Sequence, residues 1–160
     1  MQLVKTTRDT LLRPLQIVSG IVERRHTMPI LANILIRKTG ESVSFLSTDT
    51  EVQITTHANI GSGDDVTGTT VAARKLLDIL RALPESGDVT MTLQNKRLAV
   101  QSGKSRFALQ TLAAEEFPTV SVAESHNASV TLPQKTLKHL FNMVYFSMAQ
   151  QDIRYYLNGL

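Results

Sequence analysis

Residues 34–72 read ILIRKTGESVSFLSTDTEVQITTHANIGSGDDVTGTTVA, and the fold turns on this stretch. Four runs rich in β-branched residues, Ile34–Arg37, Val43–Leu46, Val52–Ile60 and Val66–Ala72, are separated by Thr39-Gly40, by a polar turn, and by Gly61-Ser62-Gly63-Asp64-Asp65. Short β runs punctuated by glycine and aspartate predict antiparallel hairpins. The flanks differ in period. Leu11, Leu15, Val18 and Val22 recur at helical spacing and predict a helix from an N-cap at Thr7 to about Gly20, with Arg8, Arg13 and Gln16 on flanking or outer positions. Pro14 lies inside that helix and predicts a kink. Residues 20–29 read as a loop, and Met1–Lys5 as a short strand. A second helix, Arg74–Leu83, carries the stripe Leu76, Leu77, Leu80 and Leu83 and stops at Pro84. Three further strands are predicted at 89–93, 98–101 and 106–112, with turns at Asn95-Lys96 and Ser102-Gly103.

Residues 113–128 lose periodicity and read as a linker, after which the pattern restarts. Val130–Leu132 predicts a strand, Gln134–Phe146 a helix with Leu137, Leu140, Phe141 and Val144 inward, and Ile153–Leu160 the start of another strand. A shift of 126 residues lays Thr10-Leu11 on Thr136-Leu137, Leu15 on Phe141, Val18 on Val144 and Leu31 on Leu157 without a gap. The expectation is an internal repeat: one complete unit at 1–124, and a second at 125–160 that is incomplete in these 160 residues. A native chain of roughly 370 residues would suit three such units.

Composition bounds the chemistry. The chain is of ordinary domain size, 42% hydrophobic and 19% charged, with no cysteine, which removes disulfides, thiolate metal sites and cysteine nucleophiles. No apolar run approaches the roughly 18 residues that span a bilayer, and Arg8 and Asp9 interrupt any signal-peptide pattern. The formal charge of +3 is modest but segregated. Residues 39–71 hold Glu41, Asp49, Glu51, Asp64 and Asp65 and no basic side chain, while the segments on either side are rich in Lys and Arg. Basic blocks sharing a face would suit nucleic acid, and scattered ones an ordinary solvated surface.

Catalytic patterns are weak. Gly63 and Gly68 have phosphate-loop spacing, but Thr69 stands where the lysine is required. His26, His57, His126 and His139 have no ligand spacing, so no metal site is expected. Asp49 and Glu51 invite a paired-carboxylate reading, yet a strand-end turn is favoured. Asn127-Ala128-Ser129 matches a glycosylation acceptor without a secretion signal to give it meaning.

Longer phrases carry more information. Leu11-Leu12-Arg13-Pro14-Leu15, Val18-Ser19-Gly20 and Arg25-His26-Thr27-Met28-Pro29-Ile30-Leu31-Ala32-Asn33 open the chain. Ser47-Thr48-Asp49-Thr50-Glu51, Ala73-Arg74-Lys75, Gly103-Lys104-Ser105-Arg106-Phe107 and Glu116-Phe117-Pro118 follow. Phe146-Ser147-Met148-Ala149 and Arg154-Tyr155-Tyr156-Leu157-Asn158-Gly159 come last. In this order they resemble the bacterial sliding clamp family, the beta subunits of DNA polymerase III, over essentially the whole chain.

The resemblance implies an α+β DNA-clamp fold, two helices packed on antiparallel sheets per domain, with repeated domains, and makes Pro14 a feature of the first helix. It implies a cytoplasmic processivity factor with no catalysis and no cofactor, which encircles double-stranded DNA as a homodimer ring and meets the polymerase III core and the clamp loader through peptide motifs. Arg25 and Gln151, then Arg24 and Arg74, fall on DNA-touching positions. Lys75, Ile79 and Leu83 with Lys104, Arg106, Phe107 and Leu109 fall on the dimer interface; Lys104 stands where an arginine is expected, exchanging a bidentate fork for a point charge. Arg154, Tyr156 and Leu157 match part of the partner-peptide pocket, so a chain of this length is expected to bind such peptides poorly. A stand-alone basic nucleic-acid-binding module remains the alternative.

Overall fold

The computed structural model describes residues 1–22, 28–85, 87–120, 129–150 and 152–159, and the chain falls into two compact units, residues 1–121 and 122–160. The expected boundary at 124/125 lies outside the described residues. In the first unit β1 (Gln2–Thr7) leads into α1 (Arg8–Val18), followed by β2 (Asn33–Thr39), β3 (Ser42–Thr48), β4 (Gln53–Asn59) and β5 (Val66–Ala72). Then come α2 (Ala73–Ala82), β6 (Asp88–Gln94), β7 (Arg97–Ser102) and β8 (Ser105–Leu112). Two of the hairpins expected from residues 34–72 form, β2 with β3 and β3 with β4, whereas β5 crosses over to pair with β2 instead of its sequence neighbour β4; all three pairings are antiparallel. Tight turns set the other registers. Asn95 and Lys96 both have positive φ between the closing pair Gln94 and Arg97, the type I′ geometry that follows strand twist. Gly103 at φ +54° opens the two-residue turn between Ser102 and Ser105, where a side chain would be strained.

The sheet order is β1-β6-β7-β8-β5-β2-β3-β4, but β8 and β5 share only the pairs Thr70–Leu112 and Val71–Thr111. Two four-stranded halves therefore meet at a narrow corner. Their far edges touch at the Val4–Gly61 bridge, beside which Gln2 Nε2 donates to Ser62 Oγ at 2.9 Å. Inside this curl lies the core: Leu11, Leu15 and Val18 of α1 and Leu76 and Leu80 of α2 are fully buried with Ile34, Phe45, Val71, Met91, Leu98 and Val100. Burial of about 25 cal/mol per Å² of apolar surface is what holds two short helices to the sheet. α1 runs unbroken across Pro14, whose ring joins the buried face and whose carbonyl accepts Thr56 Oγ1 at 3.3 Å. Thr7 precedes the helix as expected, although its hydroxyl meets Thr10 Oγ1 rather than a backbone N–H.

Three expectations need correction. Residues 113–120 are not free linker: Ala114–Glu116 forms a 3-10 turn, and Ala114 and Phe117 are buried with Ile30, Leu31, Leu35 and Leu46 in a second, smaller core. Alternation explains it, since Leu35 and Leu46 leave the sheet on the side opposite Ile34, Ile36 and Phe45 and must be covered separately. At Gly68 an added Cβ would lie 2.9 Å from that of Ala114.

In the second unit α3 (Gln134–Val144) forms as expected, but residues 130–132 are not a strand, and Tyr155–Asn158 is a 3-10 turn instead of the start of one. A strand needs a ladder partner, and the described residues of this unit contain none. For the same reason Leu137, Leu140, Phe141 and Val144 are 40–51% exposed, whereas the residues 126 positions earlier, Leu11, Pro14, Leu15 and Val18, are buried against a sheet.

Candidate functional site

In the first unit α1 and α2 run antiparallel. Arg8, at the start of α1, donates from Nε to the Leu80 carbonyl at 3.0 Å and from Nη2 to Arg81 at 3.4 Å, at the end of α2. At the opposite end Ser19 and Val22 line one groove with Ala73, Arg74 and Leu77. With their apolar stripes buried, the helices present Arg13, Gln16 and Ile17 from α1, and Arg74, Lys75, Asp78 and Arg81 from α2, to solvent. Four cations stand there against Asp78, which reaches Arg81 at 3.9 Å; Asp9 is held by Arg8 at 2.7 Å. With Asp9 balanced by Arg8, four cations against one carboxylate leave the face basic. Arg74 lines that groove together with Val22. Arg24, Arg25 and Gln151 themselves lie outside the described residues. Arg81 was not singled out from sequence; its position seven residues after Arg74, two helical turns on the same face, was the available signal.

A second feature is an open strand edge. Residues 105–110 of β8 pair with β7 on one side and with no strand on the other among the described residues. The two-residue turn makes Ser102 and Ser105 the closing pair, so Ser105, Phe107 and Leu109 direct their backbone groups to β7, and Arg106, Ala108 and Gln110 turn theirs outward. Lys104 and Arg106 are exposed, Phe107 is half-buried, and Lys75 and Ile79 on α2 are exposed and half-buried. Leu109 and Leu83, at 8% and 6% exposure, belong to the unit's own core. Alternation puts Leu109 on the helix-facing side of β8, and the apolar stripe of α2 carries Leu83 inward.

The second unit contributes a tightly bonded loop. Arg154 grips Asp152 with two parallel bonds, Nε to Oδ1 and Nη2 to Oδ2, both 3.0 Å. The Arg154 guanidinium and then its backbone N–H hold the Asp152 carboxyl below its ordinary range, and the carboxylate in turn raises Arg154. Tyr156 is exposed and Leu157 half-buried.

Asp49, weighed with Glu51 for catalysis, does other work. Asp49 Oδ1 accepts the backbone N–H groups of Glu51 and Val52 at 2.9 and 2.7 Å, which makes it the organiser of the β3–β4 turn, as favoured from sequence. Among the described residues no group of three His, Cys, Asp or Glu side chains is placed to hold a metal, and no helix is long and apolar enough to cross a membrane.

Residues 1–121 match the family described as DNA polymerase III beta subunit, N-terminal domain. The chain belongs to the DNA polymerase III beta subunit family. It is 45% identical over 153 residues to the beta sliding clamp of Proteus mirabilis, covering 96% of this chain and 41% of that protein. Among solved structures it is similar to the DNA polymerase III subunit beta of Pseudomonas aeruginosa, with a TM-score of 0.91 at 40% identity, covering 99% of this chain and 43% of that one. It is also similar to a sliding clamp from Pseudomonas aeruginosa bound to griselimycin, with a TM-score of 0.91 at 39% identity over 99% of this chain and 42% of that one. The chain thus spans about two fifths of the length of the beta-subunit relatives it matches. The expected α+β clamp fold is borne out in this family's first domain.

Proposed function

We propose that the chain serves as part of a DNA sliding clamp, a processivity factor that encloses duplex DNA and tethers the replicative polymerase without catalysing a reaction itself. The observation that carries this reading is the coexistence, in one unit of a beta-subunit family member, of a basic helix face and an unpaired strand edge. The first suits phosphates; the second suits a neighbouring sheet. Enclosure makes tight contact unnecessary and even harmful, because a ring that held its track firmly would not slide. Arg74, Arg24, Arg25 and Gln151, together with Arg13 and Arg81, supply a weak attraction whose affinity falls with salt by a slope near −0.9 per phosphate contacted. None of this reads sequence.

Ring closure is assigned to the β8 edge. A strand of a second subunit adds to the outward groups of Arg106, Ala108 and Gln110, Phe107 and Ile79 give an apolar seam, and Lys75, Lys104 and Arg106 meet acidic side chains. Leu83 and Leu109 support this seam from the core. In the second unit Arg154, Tyr156 and Leu157 form part of a wall for short peptides of the polymerase and the clamp loader, the rest coming from chain beyond these residues.

The test is topological. The full-length subunit, loaded on a nicked circular plasmid, is expected to stay bound through gel filtration and to be lost once the plasmid is cut. The 160-residue chain is expected to bind a short linear duplex only weakly, with Kd above about 10 µM at physiological salt. Retention that survives linearisation, or tight binding of the short duplex, would favour a direct-contact module instead.

A further inference from the structure

We infer that Asp152 is a positioning residue for Arg154, fixing the guanidinium in one orientation so that it offers hydrogen-bond donors to an uncharged carbonyl of a bound peptide. The inference rests on the proposed role of Arg154 in the peptide wall and adds to it the residue that sets its geometry and the ligand chemistry it selects.

Arg154 is 61% exposed along its side chain, and an arginine so exposed would sample many rotamers, a freedom it loses on being fixed by a ligand. Here much of that ordering precedes binding. The carboxylate takes Nε–H and one N–H of Nη2, and it also accepts the Arg154 backbone N–H at 2.8 Å, so head and root of the side chain are tied to the same group. Asp152 is itself held by a reciprocal pair with one amide: its N–H donates to Asn158 Oδ1 and its carbonyl accepts Asn158 Nδ2, both at 3.0 Å. Ala149 N–H to the Leu157 carbonyl at 2.8 Å and Leu157 N–H to the Arg154 carbonyl at 2.9 Å close the loop. Three guanidinium N–H groups remain on the far side of the fork.

The charge balance decides what they suit. Arg154 holds the Asp152 carboxyl below its ordinary range, so at neutral pH both groups are ionised and the pair is neutral in sum. A neutral pair with directed donors favours a peptide carbonyl, and the Asp152 carboxylate repels an acidic group that approaches the fork. Binding should therefore depend little on salt.

The experiment titrates the full-length subunit with griselimycin and follows the Arg154 Nε–Hε signal by 15N relaxation. Asp152→Asn is expected to weaken binding about fivefold or more, to mobilise the Arg154 side chain, and to add nothing in an Arg154→Ala background, while Asp152→Glu recovers part of the loss. Protection of the Ala149 amide reports whether the loop remains closed; if Asp152→Asn opens it, the Asp152→Glu and Arg154→Ala comparison decides. Arg154→Ala weakening binding while Asp152→Asn leaves it unchanged or tightens it overturns the inference, as do additive losses. If Arg154→Ala has no effect, the peptide-wall reading fails, and the Nε–Hε order in wild type against Asp152→Asn still decides whether Asp152 fixes the side chain: equal order refutes that hold.

Discussion

Arg8 Nε donates to the carbonyl of Leu80 across 72 residues of sequence, at 3.0 Å. The last carbonyls of α2 lack full partners along their own helix: that of Leu80 shares the Leu83 N–H with Ile79, at 3.3 Å, and Arg8 adds a donor from the first residue of α1. A solvent-side position in the helical pattern is thereby turned into the tie between the two helices that carry the basic face. Truncating the side chain leaves those carbonyls partly buried and under-satisfied. Arg8→Ala is expected to lower stability by about 1–3 kcal/mol in urea unfolding, and Arg8→Lys, with a single ammonium, to recover only part of it.

Lys38 is 1% exposed, and its ammonium donates to the carbonyls of Gly63 and Asp65 at 3.1 and 3.3 Å, pinning the loop between β4 and β5. Replacing the ammonium with an apolar end of similar length removes these bonds but also a desolvated charge. Lys38→Met is expected to change stability by less than about 1.5 kcal/mol. Lys38→Ala, which leaves a cavity, should cost about 2–4 kcal/mol. Faster exchange of the amides of 61–65 in both variants checks the role in the loop.

Lys96 occupies a left-handed conformation at φ 59°, the second central position of a type I′ turn, where glycine fits without strain. Lys96→Gly is expected to raise stability by about 0.5 kcal/mol, read as a small rise in melting temperature. A fall would show that Lys96 contributes a contact worth more than its strain.

Two proline substitutions in β8 separate fold from assembly. Ala108 turns its N–H to the open edge, so Ala108→Pro should be tolerated in the unit within about 1 kcal/mol while preventing a partner strand from adding there. Phe107 spends its N–H on β7, so Phe107→Pro should cost about 3 kcal/mol or more. In the full-length subunit, sedimentation is expected to find Ala108→Pro folded and monomeric; a persistent dimer would remove the β8 edge from the seam.

Asp152 supplies a pH signature. A carboxyl held below its ordinary value stabilises its loop at any pH above that value, near 4, and the contribution disappears as acid protonates the folded form. Protection of the Ala149 amide is therefore expected to be level from neutral pH down to about 4 and to fall below it, a fall that Asp152→Asn should abolish.

Residues 34–72 show how much could be read before any coordinates. Hairpins there are local, their turns marked by glycine or polar residues, and alternation points Ile34, Ile36 and Phe45 one way. The helices followed from periodicity for the same reason: each signal lies within a few residues of its consequence. Phe117 was misjudged because what covers it, Leu35 and Leu46, is remote in sequence. Leu109 reads by alternation alone as a core residue, as its burial bears out, and only the resemblance moves it, with Leu83, to an interface. The apolar face of α3 is the converse, correctly drawn as an amphipathic helix yet without a sheet among the described residues to receive it.

Period, turn chemistry and the ordered phrases from Leu11 to Gly159 settled the class of fold, the helical faces and the family, because each is written in neighbouring residues. The antiparallel pairing of α1 with α2, the open flank of β8, the burial of Lys38 and the Asp152–Arg154 fork required the folded chain. They depend on groups meeting in space at about 3 Å, and no spacing rule along the sequence specifies which donor reaches which acceptor.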